Sequence, residues 1–217
     1  MDAMILQLDR PIVFLDLETT GLDIENDRIV EIGLIKIHTD GQREELVERI
    51  DPGIDIPEAA AKVHGIRTED VRGLFGKPRL DKIGDALLAF LENADLGGFN
   101  SIRFDVPLWE RECERHGIAF DMTGRLQVDS QIIFHAKETN WDRFLMGPRN
   151  LSAAVRLYCG RDLDGAHSAA ADATASADVL ISQLERYEDL PRDCQGLHDW
   201  CARGIEERKA RTAGAGN

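Results

Sequence analysis

Asp16 and Glu18 are two acids set into an otherwise apolar stretch, Ile-Val-Phe-Leu-Asp-Leu-Glu over residues 12–18. A run this apolar and this short reads as a strand buried on both faces. Strand side chains alternate, so the two carboxylates leave one face together while Leu15 and Leu17 leave the other. Paired acids at the end of a central strand are costly to bury unless a cation neutralises them. Taken alone, the same pair also reads as two solvated acids at a strand end. Thr19-Thr20-Gly21 follows, breaking the strand and offering backbone groups where the chain turns.

Two further stretches carry chemistry-bearing types. In Gly-Gly-Phe-Asn-Ser-Ile-Arg-Phe-Asp (residues 97–105), a turn of small residues leads to Asn100, Phe104 and Asp105. Asp105 by itself reads as a helix N-cap, with Pro107 suited to the first turn, and Phe104 by itself reads as core. In His-Ser-Ala-Ala-Ala-Asp (residues 167–172), five residues separate His167 from Asp172. That spacing turns roughly 500° on a helix, so the pair does not share a face. The expectation is His167 in the loop before a helix, free to move, with Asp172 projecting from the second turn. The intervening alanines imply that this helix packs closely on something, the sheet being the natural candidate.

The elements that must position these residues follow from patterning. Residues 28–37 and 43–51 read as further strands, and the Asp40-Gly41 turn between them makes them antiparallel neighbours. A short helix is expected at 57–64, with Pro57 in its first turn and Gly65 at its end. Leu80, Ile83, Leu87, Leu88 and Leu91 form an apolar stripe at helical spacing over 80–92. A strand at 95–99, a helix at 105–116 ended by Gly117, a strand near 124–129, and helices at 150–158 and 168–187 complete the reading. An antiparallel opening followed by alternating helices and strands implies an α/β fold, a mixed sheet with helices on both faces. Residues 1–190 read as the domain and 191–217 as a C-terminal helix, with a frayed tail from Glu206.

Composition bounds the partners. With 43% hydrophobic and 30% charged residues, the 217-residue chain can bury a core and is not wholesale disordered. No apolar run approaches the ~18 residues of a membrane span, and the first ten residues lack a basic, apolar secretory signal. Cys113, Cys159, Cys194 and Cys201 show no zinc-type double pair, so reduced thiols and a cytoplasmic location are expected. Cys194, His198 and Cys201 are close in sequence but make a poor zinc signal, and Trp109, Trp141 and Trp200 read as packing residues. Forty acids against 26 bases give a formal charge of −14. Such a chain gains no long-range attraction to a polyanion, which disfavours a nucleic-acid-coating role.

Three motifs, DLETTG with Asp16 and Glu18, NSIRFD with Asn100, Phe104 and Asp105, and HSAAAD with His167 and Asp172, resemble those of the DEDDh family. This is the DnaQ-like group of 3′–5′ exonucleases, which has a ribonuclease H-like fold. The motifs stand in the family's order and span residues 16–172, and the His167 spacing matches the histidine subclass rather than the tyrosine one. His64-Gly65-Ile66 and Val128-Asp129-Ser130 resemble family features more loosely. Three residues separate Asn100 from Phe104 where many members have two, a departure that bears on subfamily more than on activity.

The resemblance implies a five-stranded sheet and two divalent ions, magnesium with manganese able to substitute, held by Asp16, Glu18, Asp105 and Asp172. Asp16 would bridge both ions, and His167 would take the proton from the attacking water. The reaction would release 5′-mononucleotides from a nucleic-acid 3′ end. Thr19, Thr20, Gly21, Leu22, Ile66, Asn100 and Phe104 would contact substrate, with Leu22 either wedging a base or packing the turn, and Asn100 bracing the turn rather than orienting a sugar. Single-stranded DNA in proofreading or repair is the expected substrate. An RNA-trimming or oligoribonuclease-type nuclease is the alternative, and a non-catalytic nucleic-acid or replisome adaptor the alternative of another class. With no polymerase or helicase segment and no clamp-binding peptide in 188–205, the sequence reads as a stand-alone nuclease, leaving room for a DNA polymerase partner. The acidity implies a grip on a few terminal nucleotides, with a shallow salt dependence.

Overall fold

In the computed structural model, which describes residues 5–214, a five-stranded sheet runs in the order β3-β2-β1-β4-β5. β1 (Ile12–Thr19), β2 (Ile29–Ile37) and β3 (Arg43–Arg49) are antiparallel, and β4 (Asp95–Gly98) and β5 (Gln127–Asp129) add in parallel to β1. The Asp40-Gly41 turn joins β2 to β3 as its residues require, Gly41 taking φ 85°. All nine residues of β2 are buried, whereas β3, with Arg43, Glu44, Glu45 and Arg49 exposed, guards the sheet edge with charge.

The alternation of β1 sorts its side chains into two cores. Val13, Leu15 and Leu17 pack with Leu80, Leu87, Leu91, Leu108 and Trp109 of α3 (Leu80–Leu91) and α4 (Asp105–His116). Ile12 and Phe14 pack on the other face with Ala173, Ala177 and Leu180 of α8 (Ala169–Arg186) and Leu197 and Cys201 of α9 (Cys194–Gly214). Asp16 and Glu18 therefore continue the α8 face.

Between these lie α1 (Glu58–His64), α2 (Thr68–Val71), α5 (Ser130–Lys137), α6 (Arg143–Met146) and α7 (Leu151–Ala154), the last prolonged by a π-helical turn at Val155–Cys159. Four of the helices go beyond the sequence reading. α2 and α6 are single turns without a stripe to reveal them. α5 starts directly after β5, with Asp129 as its N-cap accepting from the Gln131 N–H. α9 runs to Gly214, past the point at Glu206 where a frayed tail was expected, and residues 215–217 lie outside the described residues. No helix among the described residues is long and apolar enough to cross a membrane. The four cysteines are free. Cys201 packs its sulfur against the Asp129 backbone, and His198 Nδ1 lies 3.0 Å from the Gln127 backbone nitrogen, so both seat α9 on β5.

Candidate active site

Three elements meet at the carboxyl ends of β1 and β4, the end of a parallel α/β pair where ligands bind. β1 delivers Asp16 and Glu18. The β4–α4 turn delivers Asp105, and the start of α8 delivers Asp172, with His167 just before it.

What brings α8 so close is a glycine. In the β1–β2 ladder Asp16 stands opposite Gly33. A Cβ on Gly33 would lie 2.2 Å from the Ala169 carbonyl carbon and 2.5 Å from the Ala170 nitrogen, so the first turn of α8 rests on bare backbone. Glu31, opposite Glu18 and buried, accepts the Ala169 N–H at 3.2 Å and the Arg49 Nε at 2.8 Å, fixing the helix end to the sheet. The alanines of the HSAAAD stretch are what allow this approach, as their small size foretold.

Asp105 differs from its sequence reading. Phe104, half-buried against the α3–α4 core, occupies the N-cap position, and Asp105 is the first residue of the helix. The Asp105 carboxylate does not cap α4 but reaches 88 residues back, accepting the Leu17 N–H at 3.1 Å from Oδ1. This bond holds the end of β1 to the start of α4. Asp172 sits in the first turn of α8 rather than the second, and its Oδ2 accepts the His167 N–H at 3.2 Å. His167 is exposed and left-handed at φ 67°, a conformation uncommon outside glycine. Asn100 shares that conformation at φ 69°, where its own N–H donates to the buried Asp129 at 2.9 Å.

The electrostatics are those of a site awaiting positive charge. Burial, then the charges of Asp105, Asp172, Glu18 and Glu31, hold the Asp16 carboxyl well above the ordinary range. Burial followed by Asp172 and Glu31 pushes Glu18 up to about 7. Burial raises Asp105 to about 7 as well, against the lowering effect of the Leu17 N–H. Burial raises Asp172, opposed by the His167 N–H and imidazole.

Ligand atoms of Glu18, His167 and Asp172 lie within 4.8 Å of one another, the one such group among the described residues. Asp172 Oδ1 is buried with no hydrogen-bond partner, an acceptor without a proton to accept. A divalent cation satisfies each of these features. The donor set is dominated by carboxylate oxygen, which suits magnesium or manganese.

The remaining residues divide by what already occupies them. Thr20 Oγ1 donates to Asp27 Oδ1 at 2.7 Å and accepts the Arg28 N–H at 3.0 Å, so that hydroxyl braces the β1–β2 loop. Thr19 Oγ1 donates to the Gly21 carbonyl at 2.6 Å, and a side chain at Gly21 would strike Asp27. Leu22 is 83% exposed, so it packs nothing in the turn and stands free beside the acids' loop. Ile66 is buried with Val30, Ile56, Ala61 and Val71, its side chain spent on packing.

Two residues were not singled out as site residues from the sequence, Glu31 and His64. Glu31 sits in a mostly apolar strand where the sequence assigns it no role, and only its register opposite Glu18 reveals it. His64 Nδ1 accepts the Ile66 N–H at 3.1 Å, leaving Nε2 buried without a partner. Burial holds the His64 imidazole below its ordinary range, against the Thr19 backbone and Glu31, with His167 also within electrostatic reach.

A mixed five-stranded sheet in the order 3-2-1-4-5, its first three strands antiparallel and covered by helices, is the ribonuclease H-like exonuclease fold. An RNase T-type family model described as exonuclease matches residues 13–180, and the chain belongs to that family, the DnaQ-like DEDDh group of 3′–5′ exonucleases. It is 25% identical over 185 residues to the PolC-type DNA polymerase III of Caldanaerobacter subterraneus subsp. tengcongensis, covering 84% of this chain but 12% of that protein. It is 27% identical over 182 residues to the DNA polymerase III subunit epsilon of Treponema pallidum, covering 82% of this chain and 79% of that one. Its fold is similar to E. coli exonuclease I solved with a dT13 oligonucleotide, at TM-score 0.67 and 18% identity over 82% of this chain and 41% of that one. The chain thus spans only a small part of the PolC-type relatives it matches.

Proposed function

We propose that this chain is a two-metal 3′–5′ exonuclease that removes 5′-mononucleotides from the 3′ end of single-stranded DNA, in proofreading or repair. The observation that carries the reading is the convergence of Asp16, Glu18, Asp105 and Asp172, three of them raised by one another's charge as well as by burial. The relatedness to PolC-type and epsilon subunits, and the likeness to an exonuclease solved with an oligodeoxynucleotide, support DNA as the substrate and a polymerase as partner.

Asp16, Glu18, Asp105 and Asp172 would hold the cations. Two divalent ions, when bound, supply charge stabilisation for the attacking and leaving oxygens of an in-line displacement. His167, exposed and anchored through its N–H to Asp172, accepts the proton of the attacking water at an imidazole nitrogen and passes it to solvent. Leu22, exposed on the loop after β1, wedges against the terminal base in this reading. Asn100 braces the turn through its N–H to Asp129.

The test is a 5′-labelled single-stranded oligonucleotide incubated with Mg²⁺, with and without EDTA. A ladder shortening from the 3′ end, with 5′-mononucleotides as product and full suppression by EDTA, is expected. Binding without cleavage would favour a nucleic-acid adaptor and overturn the proposal.

A further inference from the structure

A cluster of cations lies outside the acid site. On the β4–β5 side of the sheet a cavity of about 940 Å³ opens between the β4–α4 turn, α5 and residues 204–209 of α9. Asn100, Arg103, His135, Arg149, Arg208 and Lys209 are among its lining residues. The sequence brings the four Arg and Lys side chains from three separate segments, so no long run of basic residues announces them.

In a chain of formal charge −14, four cations around one cavity invert the local sign. The opposing acids there are Glu207 and Asp129, and the Asp129 carboxylate is already occupied by the N–H groups of Asn100, Ile102 and Gln131. Arg149 donates to the backbone carbonyls of His135 and Glu138 but forms no ion pair among the described residues. Arg103 is exposed and likewise lacks an ion pair among them. Lys209 meets Glu206 on its own helix at 2.8 Å, an exposed pair of little energetic weight. Burial, then Arg149, Arg208 and Arg103, hold the His135 imidazole below its ordinary range, so these guanidinium charges converge on the same place.

Asn100 and Arg103 bring the cavity's lining up to the turn that leads into Asp105. Arg103 lies in the turn that runs from Asn100 to Asp105, two residues before the carboxylate. Arg103 is the one cation on that turn, and a strand held at its 3′ end by the acids has it within reach. We infer that this cavity binds the sugar–phosphate backbone of the polynucleotide beyond its 3′-terminal nucleotide. The inference rests on the exonuclease reading and deepens it. It also bounds the grip: four cations neutralise at most four phosphates, a salt slope of about −3 for a single strand.

The test compares wild type with the Arg103→Gln/Lys209→Gln double variant, two exposed positions whose change leaves the core intact. Binding of fluorescein-labelled dT20 in Ca²⁺ is followed by anisotropy across KCl concentrations, and Mg²⁺-dependent turnover is measured on dT20 and on the p-nitrophenyl ester of thymidine 5′-monophosphate. The double variant is expected to bind dT20 about tenfold more weakly, with a salt slope shallower by about 1.4, at roughly 0.7 for each phosphate no longer neutralised. Its kcat/KM ratio of dT20 to the ester should fall about tenfold through KM, and Arg103→Lys/Lys209→Arg should restore both. An unchanged slope together with an unchanged substrate ratio would overturn the inference while leaving the exonuclease reading in place. Wild type that binds dT20 with the stated slope yet hydrolyses neither substrate would uphold the cavity and sink the exonuclease reading.

Discussion

The acid cluster should make the stability of the metal-free protein fall as pH rises. Burial and neighbouring carboxylates lift Glu18 from 4.5 to about 7 and Asp105 from 3.8 to about 7. Both side chains are nearly inaccessible, at 8% and 5% exposure, so solvent screens little of this. Each pH unit of displacement is worth about 1.4 kcal/mol, so either group ionises at a cost of roughly 3–4 kcal/mol to the fold. The two feel the same field, and their costs do not simply add. Because the folded carboxyls bind protons more tightly than unfolded ones, their contribution is intact below pH ~4 and is lost as pH rises through ~7. For a domain of this size 1 kcal/mol moves Tm by about 2–4 °C. Thermal unfolding in EDTA should therefore show Tm lower at pH 8 than at pH 5 by about 6–12 °C from this source. Excess Mg²⁺, binding the ionised folded form, should recover most of that loss at pH 8 and little at pH 5. Glu18→Gln should raise the metal-free Tm at pH 8 and blunt the response to Mg²⁺. A Mg²⁺ shift as large at pH 5 as at pH 8, or a Glu18→Gln variant destabilised in EDTA at pH 8, would refute the electrostatic argument.

Other perturbations probe the parts separately. Gly33→Ala forces a methyl into the backbone of Ala169 and Ala170, so it should cost about 1–3 kcal/mol in urea unfolding and displace Asp172 enough to cut turnover by more than tenfold; wild-type turnover in that variant would show that α8 need not rest on β2. His167→Ala should fold normally and lose about 10²–10⁴ in kcat, the usual worth of a general base, and a fully active variant rejects that assignment. Asp16→Asn should abolish turnover by weakening both ion sites, whereas an unimpaired variant would remove Asp16 from its bridging role.

The parts of this molecule visible in its sequence are those set by local periodicity. Alternation in β1 placed Asp16 and Glu18 on one face, and the Asp40-Gly41 turn paired β2 with β3. The alanines after His167 announced a close approach, yet the surface they approach, Gly33, lies 136 residues earlier and carries no local sign of it. Asp105 looked like a cap because helix-start statistics see only neighbours, while its actual bond runs to the Leu17 N–H across the sheet. Glu31 was hidden for the same reason: register, not composition, sets it opposite Glu18. α6 is too short for a stripe, with Phe144, Leu145 and Met146 all exposed, and α9 carries too many polar residues to show a strong one. The basic cavity is the extreme case, assembled from turns and helix ends that are distant in the chain.

The proposed chemistry requires Asp16, Glu18, Asp105 and Asp172 to act together on cations. Crystals grown without metal and soaked in Mn²⁺, with diffraction recorded at the manganese absorption edge, address this directly. Two anomalous peaks about 3.5–4 Å apart, with Asp16 touching both and the other three carboxylates sharing them, are expected. No peak within reach of Asp16, or manganese bound elsewhere while the four carboxylates stay empty, would contradict it.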